Sequence, residues 1–476
     1  MNFKDINNTF FDLENKYSLF DKKISGIFFW ELLRFDISRK ILIKKWLITE
    51  ASKKVDNKFI YIIKNIWLLF YNSTIWNPIF SKNKAIFIVG HSRRQNINNK
   101  FSDIYTDFIK EKLLESNIWY QDFESLTFTR KHKRNFSSAS GNILFFDLFE
   151  WLSLVFSKKI KLSDTEIELL NWLELEIKKI YDVNIDIKEL VISKLSYFRT
   201  LTKYFRILLK WKAPSFIIEV VSYSITNQAL NSVAKEFKIK LIELQHGVID
   251  RYHLWYSMWN NKKQLLNYFP DYIFSWWKYW NSVCNYPSNC KVLDLWFPFF
   301  NYNKANEINI EKKDTKNILV ISQWAIWEDL AKKIFDLAEK LNEYKFYYKL
   351  HPWEFHKLDS SLSYLKNVKN IEIVKWERTI YELFSICNIQ IWVFSTAVYE
   401  GLGFWLNSIV YNLPWVEYLD DLISTWVVKK VNTAEECINL INNWEFNNSW
   451  FNSSDFFKEN SLELILQEIK KLSINS

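Results

Sequence analysis

The chain has 476 residues, 49% of them apolar and 25% charged, with a formal net charge of +9. That composition excludes a disordered chain and leaves room for two or three domains with cores of their own. The greasiest stretches, 59–71 and 143–156, are broken by Lys64 and by Asp147 and Glu150, short of the roughly 18 apolar residues a membrane span needs.

Four cysteines show no Cys-x-x-Cys or Cys/His spacing, which argues against a zinc site and for reduced thiols in a cytoplasmic protein. The polar N-terminus, MNFKDINNTFFDLENK, does not read as a secretory signal. Residues 1–80 are expected to form a helical region. Within it FFWELLRFDISRKILIKKWLI (28–48) returns apolar residues near i, i+3 and i+4 between lysines and arginines. Two readings compete: a basic amphipathic helix on the inner face of a membrane, or a helix packed on the next domain.

AIFIVGHSRR (85–94) reads as a buried strand that ends at Gly90. His91, Arg93 and Arg94 follow at its C-terminal end, placed to meet an acceptor or a phosphate. Segments 143–151 and 163–180 read as helices over a sheet. From 211 strands and helices alternate: strand 215–223, helix 225–236, then KIKLIELQHGVID (238–250), a strand that breaks at Gln245-His246-Gly247. A histidine at such a turn titrates near neutrality and is a candidate general base. PDYIFSWWKYW (270–280), strand then helix start, and KVLDLWFPFF (291–300), a strand, follow. The charged, apolar-poor 301–317 is the expected linker between a first domain, 81–300, and a second, 318–455, with a closing helix in 456–476.

The second half begins with ILVISQWAIWEDLAKKIFDLAEKL (318–341), strand, loop and helix. Strand 345–350 runs into Lys349, His351 and Pro352. Strand 371–374, helix 378–387 and IQIWVFSTAVYEGLGFWLNSIV (389–410) come next. In the last, an apolar strand stops at Ser395-Thr396 and turns into a helix with Glu400 one turn in. Free N–H groups at a new helix N-terminus beside two hydroxyls make an anion site, and Glu400 is placed to accept from a diol such as ribose. Strands separated by helices imply a parallel sheet, and strand ends carrying phosphate-compatible groups imply a nucleotide crevice.

Tryptophan usage is anomalous. There are 24 tryptophans and 6 glycines, against roughly 33 glycines at ordinary usage. The glycine shortfall is close to the tryptophan count. Trp324, Trp327, Trp353, Trp392 and Trp405 stand in loops and turns where backbone approach or positive φ calls for glycine. The reading is a code in which UGA specifies glycine, with Trp30 and Trp280 as true tryptophans.

ELQHGVIDRYHLWY (243–256), SQWAIWEDL (322–330), YKLHPWEF (348–355) and STAVYEGLGFW (395–405) together resemble the GT-B glycosyltransferases of bacterial capsule and surface polysaccharides that carry an HP motif, relatives of polysialyltransferases, Kdo transferases and CDP-glycerol polymerases. The resemblance covers about 210–415. It implies an α/β GT-B fold, two Rossmann-like parallel-sheet domains facing a cleft. It further implies an enzyme that moves a sugar from a nucleotide-sugar donor to a glycan or lipid-linked acceptor. By the same resemblance His351, Ser395 and Thr396, supported by Lys349, Glu400, Ser322 and Gln323, hold the donor. Their positions at strand ends, outside that resemblance, put Arg93 and Arg94 at the acceptor and make His246, with His91 in reserve, the group that takes its proton. No bound metal or other cofactor and no nucleic acid are expected. The alternatives are a CDP-glycerol-type polyol-phosphate transferase, a GT-B-shaped nucleotide-sugar epimerase and a non-catalytic nucleotide-sugar binding module.

Overall fold

The computed structural model describes residues 3–47, 66, 70, 73–74, 77–80, 84–91, 93–97, 100–124, 143–258, 264–295, 297–307, 313–323, 326–443, 446 and 458–474. The chain divides into two units. The first is built on residues 5–46, 50–299 and 460–476, the second on 1–4, 47–49 and 300–459.

The first unit holds a seven-stranded sheet in the order β5-β4-β1-β6-β7-β8-β9. These strands are β1 (Ile86–Val89), β4 (Tyr120–Glu124), β5 (Ile143–Phe145), β6 (Phe216–Val220), β7 (Lys240–Leu244), β8 (Tyr272–Ser275) and β9 (Lys291–Asp294). Every pairing is parallel. A separate antiparallel hairpin joins β2 (Arg94–Ile97) to β3 (Lys100–Asp103). The central strands are nearly unbroken apolar runs because they are buried on both faces.

Its helices are α1 (Phe3–Lys16), α2 (Phe29–Lys44), α3 (Asp107–Glu115), α4 (Asp147–Phe156), α5 (Asp164–Tyr181), α6 (Ile187–Lys212), α7 (Ile225–Glu236) and α8 (Lys278–Ser282). A capping box opens α5: Ser163 Oγ accepts from Glu166 N–H, and Glu166 accepts from Ser163 N–H (2.8 Å). Segment 143–151, expected to be helical, is β5 followed by the start of α4. An apolar run of three residues fits either, and the neighbouring strand decided it.

The membrane-surface reading of 28–48 does not survive. Ten residues of α2 are buried, Trp30 and Arg34 among them. Arg34 pairs with Glu14 (Nε to Oε1, 2.8 Å), and Glu31 accepts from the N–H groups of Asn267 (2.9 Å) and Tyr268 (3.0 Å). Among the described residues no helix is long and apolar enough to cross a membrane.

α9 (Pro298–Glu307) carries the chain from one unit to the other. The first part of the expected linker is therefore helical. The second unit holds a six-stranded parallel sheet in the order β12-β11-β10-β13-β14-β15. Its strands are β10 (Asn317–Ile321), β11 (Lys345–Lys349), β12 (Ile371–Val374), β13 (Ile389–Trp392), β14 (Asn407–Tyr411) and β15 (Val428–Val431). Between them run α10 (Trp327–Lys340), α11 (Ile380–Ile386), α12 (Thr396–Gly403) and α13 (Asp420–Ser424), with α14 (Ala434–Asn442) after β15. α10 buries Leu330, Ala331, Ile334, Leu337 and Ala338, a stripe at helical spacing. The last helix, α15 (Ser461–Ile474), belongs to the first unit, where Lys112 of α3 reaches Glu463 (3.7 Å). The expected α/β architecture of two parallel-sheet units stands.

Candidate functional site

In the second unit β10 enters the sheet in mid-order. β11 and β12 lie to one side of it, and β13, β14 and β15 to the other. Where the winding reverses, the loops leaving adjacent strands diverge, and a crevice opens beyond their C-terminal ends. Register places Ile321 beside Lys349, and Val320 beside Ile391. The residues that follow these three strands therefore share one edge: Ser322 and Gln323, His351, and Ser395 with Thr396.

Ser322 is buried. Its N–H donates to Lys349 O (3.0 Å), and Tyr348 Oη donates to its hydroxyl (3.3 Å). At the end of β11 the turn 351–354 closes on itself, with Glu354 N–H donating to His351 O (2.8 Å) and His351 N–H donating to Glu354 Oε2 (3.0 Å). Glu354 is fully buried, and burial pushes its carboxyl up to about 7 against the pull of the Ser322 hydroxyl and the His351 amide. Among the described residues Glu354 Oε1 and Gln323 Oε1 are buried without a hydrogen-bond partner. Sequence reasoning passed over Glu354, although its place three residues after His351 was a signal for a self-closing turn.

β13 delivers Ser395 as the N-cap of α12, its Oγ accepting from Ala397 N–H (3.3 Å). Thr396 is the first helical residue. α12 is held against the sheet by Gln390, whose Nε2 donates to Val398 O (2.9 Å) and Ser408 Oγ (2.6 Å). Gly401 permits that approach, and Gly403 a second one, to Phe300 of α9. A Cβ at Gly401 would stand 2.0 Å from Gln390 Oε1, and one at Gly403 would stand 2.4 Å from Phe300 Cζ.

Two expected donor ligands are otherwise engaged. The Lys349 ammonium donates to the carbonyls of Lys375 and Arg378 (2.6 Å to the latter), so it ties β11 to the loop after β12 instead of reaching along the crevice. Glu400 is buried, with Tyr381 Oη donating to its Oε2 (2.7 Å). The structure gives it an internal partner where the sequence suggested a ribose diol.

The first unit repeats the topology, with the winding reversing between β1 and β6. His91 follows β1 and His246 follows β7, and their rings lie 6.3 Å apart. Tyr223 Oη is 3.2 Å from His246 Nε2, Tyr105 Oη donates to His246 O (2.7 Å), and Arg93 Nη1 donates to Tyr105 Oη (3.1 Å). Nδ1 of His246 is buried with no partner among the described residues. Desolvation, then repulsion from His91, His253 and Arg93, holds the His246 pKa well below its ordinary value. Burial lowers that of His91 as well. Both rings are neutral at pH 7, the state in which an imidazole accepts a proton.

Arg94, expected to meet an acceptor, is instead buried in a structural ion cluster. It pairs with Glu124, and with Asp107 at 3.9 Å, while Lys110 pairs with Asp107 (3.0 Å) and Asp122 (2.8 Å). Arg93 stays exposed.

Behind His246 lies a polar network that sequence reasoning missed. Val221, a β-branched residue, holds φ 62° directly after β6, a conformation that persists only where surroundings impose it. Glu243 imposes it, accepting from Ser222 N–H (3.0 Å), Ser222 Oγ (2.5 Å) and Tyr256 Oη (2.5 Å). Burial lifts Glu243 to about 7. Its register partner on β6 is Glu219, a second buried carboxyl raised by burial and by Glu243. An acidic residue inside each of two apolar strands, FIIEV and KLIEL, was the available signal. Among the described residues no group of three His, Cys, Asp or Glu is arranged to hold a metal ion.

No protein-family model matches the chain, and neither does any curated protein. Among solved structures it is similar to the UDP-GlcNAc 2-epimerase of Methanocaldococcus jannaschii, at 13% identity and TM-score 0.49 over 81% of this chain and 99% of that one. It is also similar to MurG of Acinetobacter baumannii (10%, 0.47, 82% and 99%) and to a glycosyltransferase from Rickettsia africae (13%, 0.42, 83% and 100%). Likeness at that level carries no argument about activity, and the two-sheet architecture stands on its own strand order.

Proposed function

We propose that the chain is a glycosyltransferase of GT-B type whose nucleotide-sugar donor binds at the strand ends of the second unit. The observation that carries this reading is the strand order, which brings Ser322, Gln323, His351, Ser395 and Thr396 to one edge at the winding reversal. The N-termini of α10 and α12 open there, and their dipoles favour a diphosphate. His351 adds a side-chain donor to the leaving phosphate, so protein groups meet the charge that a metal would otherwise meet.

In the reaction an acceptor hydroxyl bonds to the anomeric carbon as the bond from that carbon to the diphosphate breaks. The hydroxyl proton goes to His246, which desolvation keeps neutral and Tyr223 orients. His91 is the reserve for that role. The acceptor class, a surface polysaccharide or glycolipid, rests on the resemblance of the HP and QHG segments.

CMP, CDP and UDP are to be titrated against the protein, and nucleotide release is to be followed with candidate donors. Removing one oxyanion-type contact costs about 10² to 10³ in rate, so His351→Ala should lose that much turnover while unfolding as the parent does. His246→Ala should lose turnover while still binding nucleotide. Turnover by His351→Ala within a few-fold of the parent would sink the donor-site assignment. Epimerised nucleotide-sugar formed without any acceptor would replace the transferase reading by the epimerase one.

A further inference from the structure

Four tryptophans of this fold stand where glycine is the ordinary residue. Among the described residues the non-glycine positions with positive φ include Trp46 (61°), Trp405 (61°), Trp415 (80°) and Trp426 (62°), whereas Gly26 is the one glycine found there. In the left-handed region Cβ crowds the following carbonyl oxygen. Asn and Asp tolerate it, and a bulky side chain there is an outlier.

Three of the four lie one residue past a helix C-cap, after α2, α12 and α13. At α12 the pattern is complete: Leu406 N–H donates to Gly401 O (3.0 Å) and Trp405 N–H to Leu402 O (2.9 Å). Those are the paired bonds of a Schellman ending, whose left-handed residue is usually glycine. Trp415 follows Pro414 with φ 80° and ψ 3°, and Val416 N–H donates to Leu413 O (3.1 Å). It is the third residue of a type II turn, a position that needs positive φ and takes glycine or asparagine. Little packing compensates at the exposed sites, since Trp46 is 94%, Trp426 67% and Trp405 45% exposed.

We propose that the polypeptide made in the cell carries glycine at positions 46, 405, 415 and 426, because its gene spells them UGA and the cell reads UGA as glycine. Composition argues the same way independently, with 24 tryptophans beside 6 glycines. Trp30 and Trp280 behave as true tryptophans. Both are fully buried, Trp30 Nε1 donates to Glu14 Oε1 (2.7 Å), and Trp280 packs edge-on to Trp276 (5.3 Å). Trp392, expected among the glycines, is buried in β13 with Nε1 donating to Gln390 Oε1 (3.1 Å), so its geometry adds no support. Trp327 opens α10 beneath Lys357, whose Nζ is 4.0 Å from the ring centroid. Trp324 and the side chain of Trp353 lie outside what is described.

The gene and the cell-derived protein provide the test. UGA at 46, 405, 415 and 426 with UGG at 30 and 280, and native peptides in which hydrogen replaces the indolylmethyl side chain at those four positions, is the expected result. UGG at the four positions, or tryptophan in their native peptides, overturns the proposal. A second measurement compares the chain as written with its Trp405→Gly/Trp426→Gly variant. Release from the left-handed region should raise the folding equilibrium constant about tenfold per position, while Trp30→Gly and Trp280→Gly lower it. A double variant no more stable than its parent overturns the backbone argument. Nucleotide binding enters neither measurement, so a failed donor-site reading leaves this proposal standing, and the reverse holds.

Discussion

Gly401→Ala tests how α12, and with it the Ser395–Thr396 edge, is held in place. The added Cβ would stand 2.0 Å from Gln390 Oε1 and 2.6 Å from its Cδ, so the buried amide must leave. That breaks the bonds from Gln390 Nε2 to Val398 O and Ser408 Oγ and the bond Oε1 accepts from Trp392 Nε1. Three lost bonds at about 1 kcal/mol each, with buried groups left unpaired, come to roughly 3–4 kcal/mol. Overpacking adds about 1–3 kcal/mol, and alanine's better helix propensity returns about 1 kcal/mol. The balance is a loss of about 3–6 kcal/mol. Urea unfolding monitored on the second unit would read it. Gln390→Ala in the same chain should make the two changes less than additive, because the clash partner is gone. A neutral or stabilising Gly401→Ala would refute the packing argument for this helix.

Arg94→Ala should cost about 3–5 kcal/mol, because it leaves Glu124 buried without its cation; Arg93→Ala, which gives up a hydrogen bond to Tyr105, should cost about 1 kcal/mol. Equal midpoints in denaturant for the two variants would contradict the structural role given to Arg94. Glu354 carries a pH signature: its carboxyl stands at about 7 in the fold against 4.5 ordinarily. The fold therefore binds the proton more tightly than the unfolded chain. The stability it contributes is complete below about 4.5 and is lost as pH rises through about 7. Relative to Glu354→Gln, the parent should lose stability across that window, and a pH-independent difference between the two would remove the buried-acid assignment.

Much of the second unit was legible from sequence because its chemistry is local. Apolar runs of strand length ending at His351 or at Ser395-Thr396 declare both the strand and what it delivers, and the observed β12, Ile371–Val374, coincides with the segment expected. The glycine-like role of Trp405 was legible too, since a helix end announces itself within a few residues. β15 and α14 were missed: VKKV, with two lysines in a four-residue strand, has no apolar run to announce it.

Where side chains point depends on how the strands are ordered, which no local stretch of sequence fixes. Lys349 and His351 are two residues apart, yet the lysine turns to the carbonyls beside β12, because β12 lies on that side of β11. Glu400 meets Tyr381 of α11, a partner 19 residues away. Arg94 is taken up by Glu124 and Asp107, while its neighbour Arg93 stays in water. In each case the residue type and its place near a strand or helix end could be read from the sequence. The partner was decided by which strand or helix came to lie alongside, because a buried charge settles with the nearest group that can satisfy it.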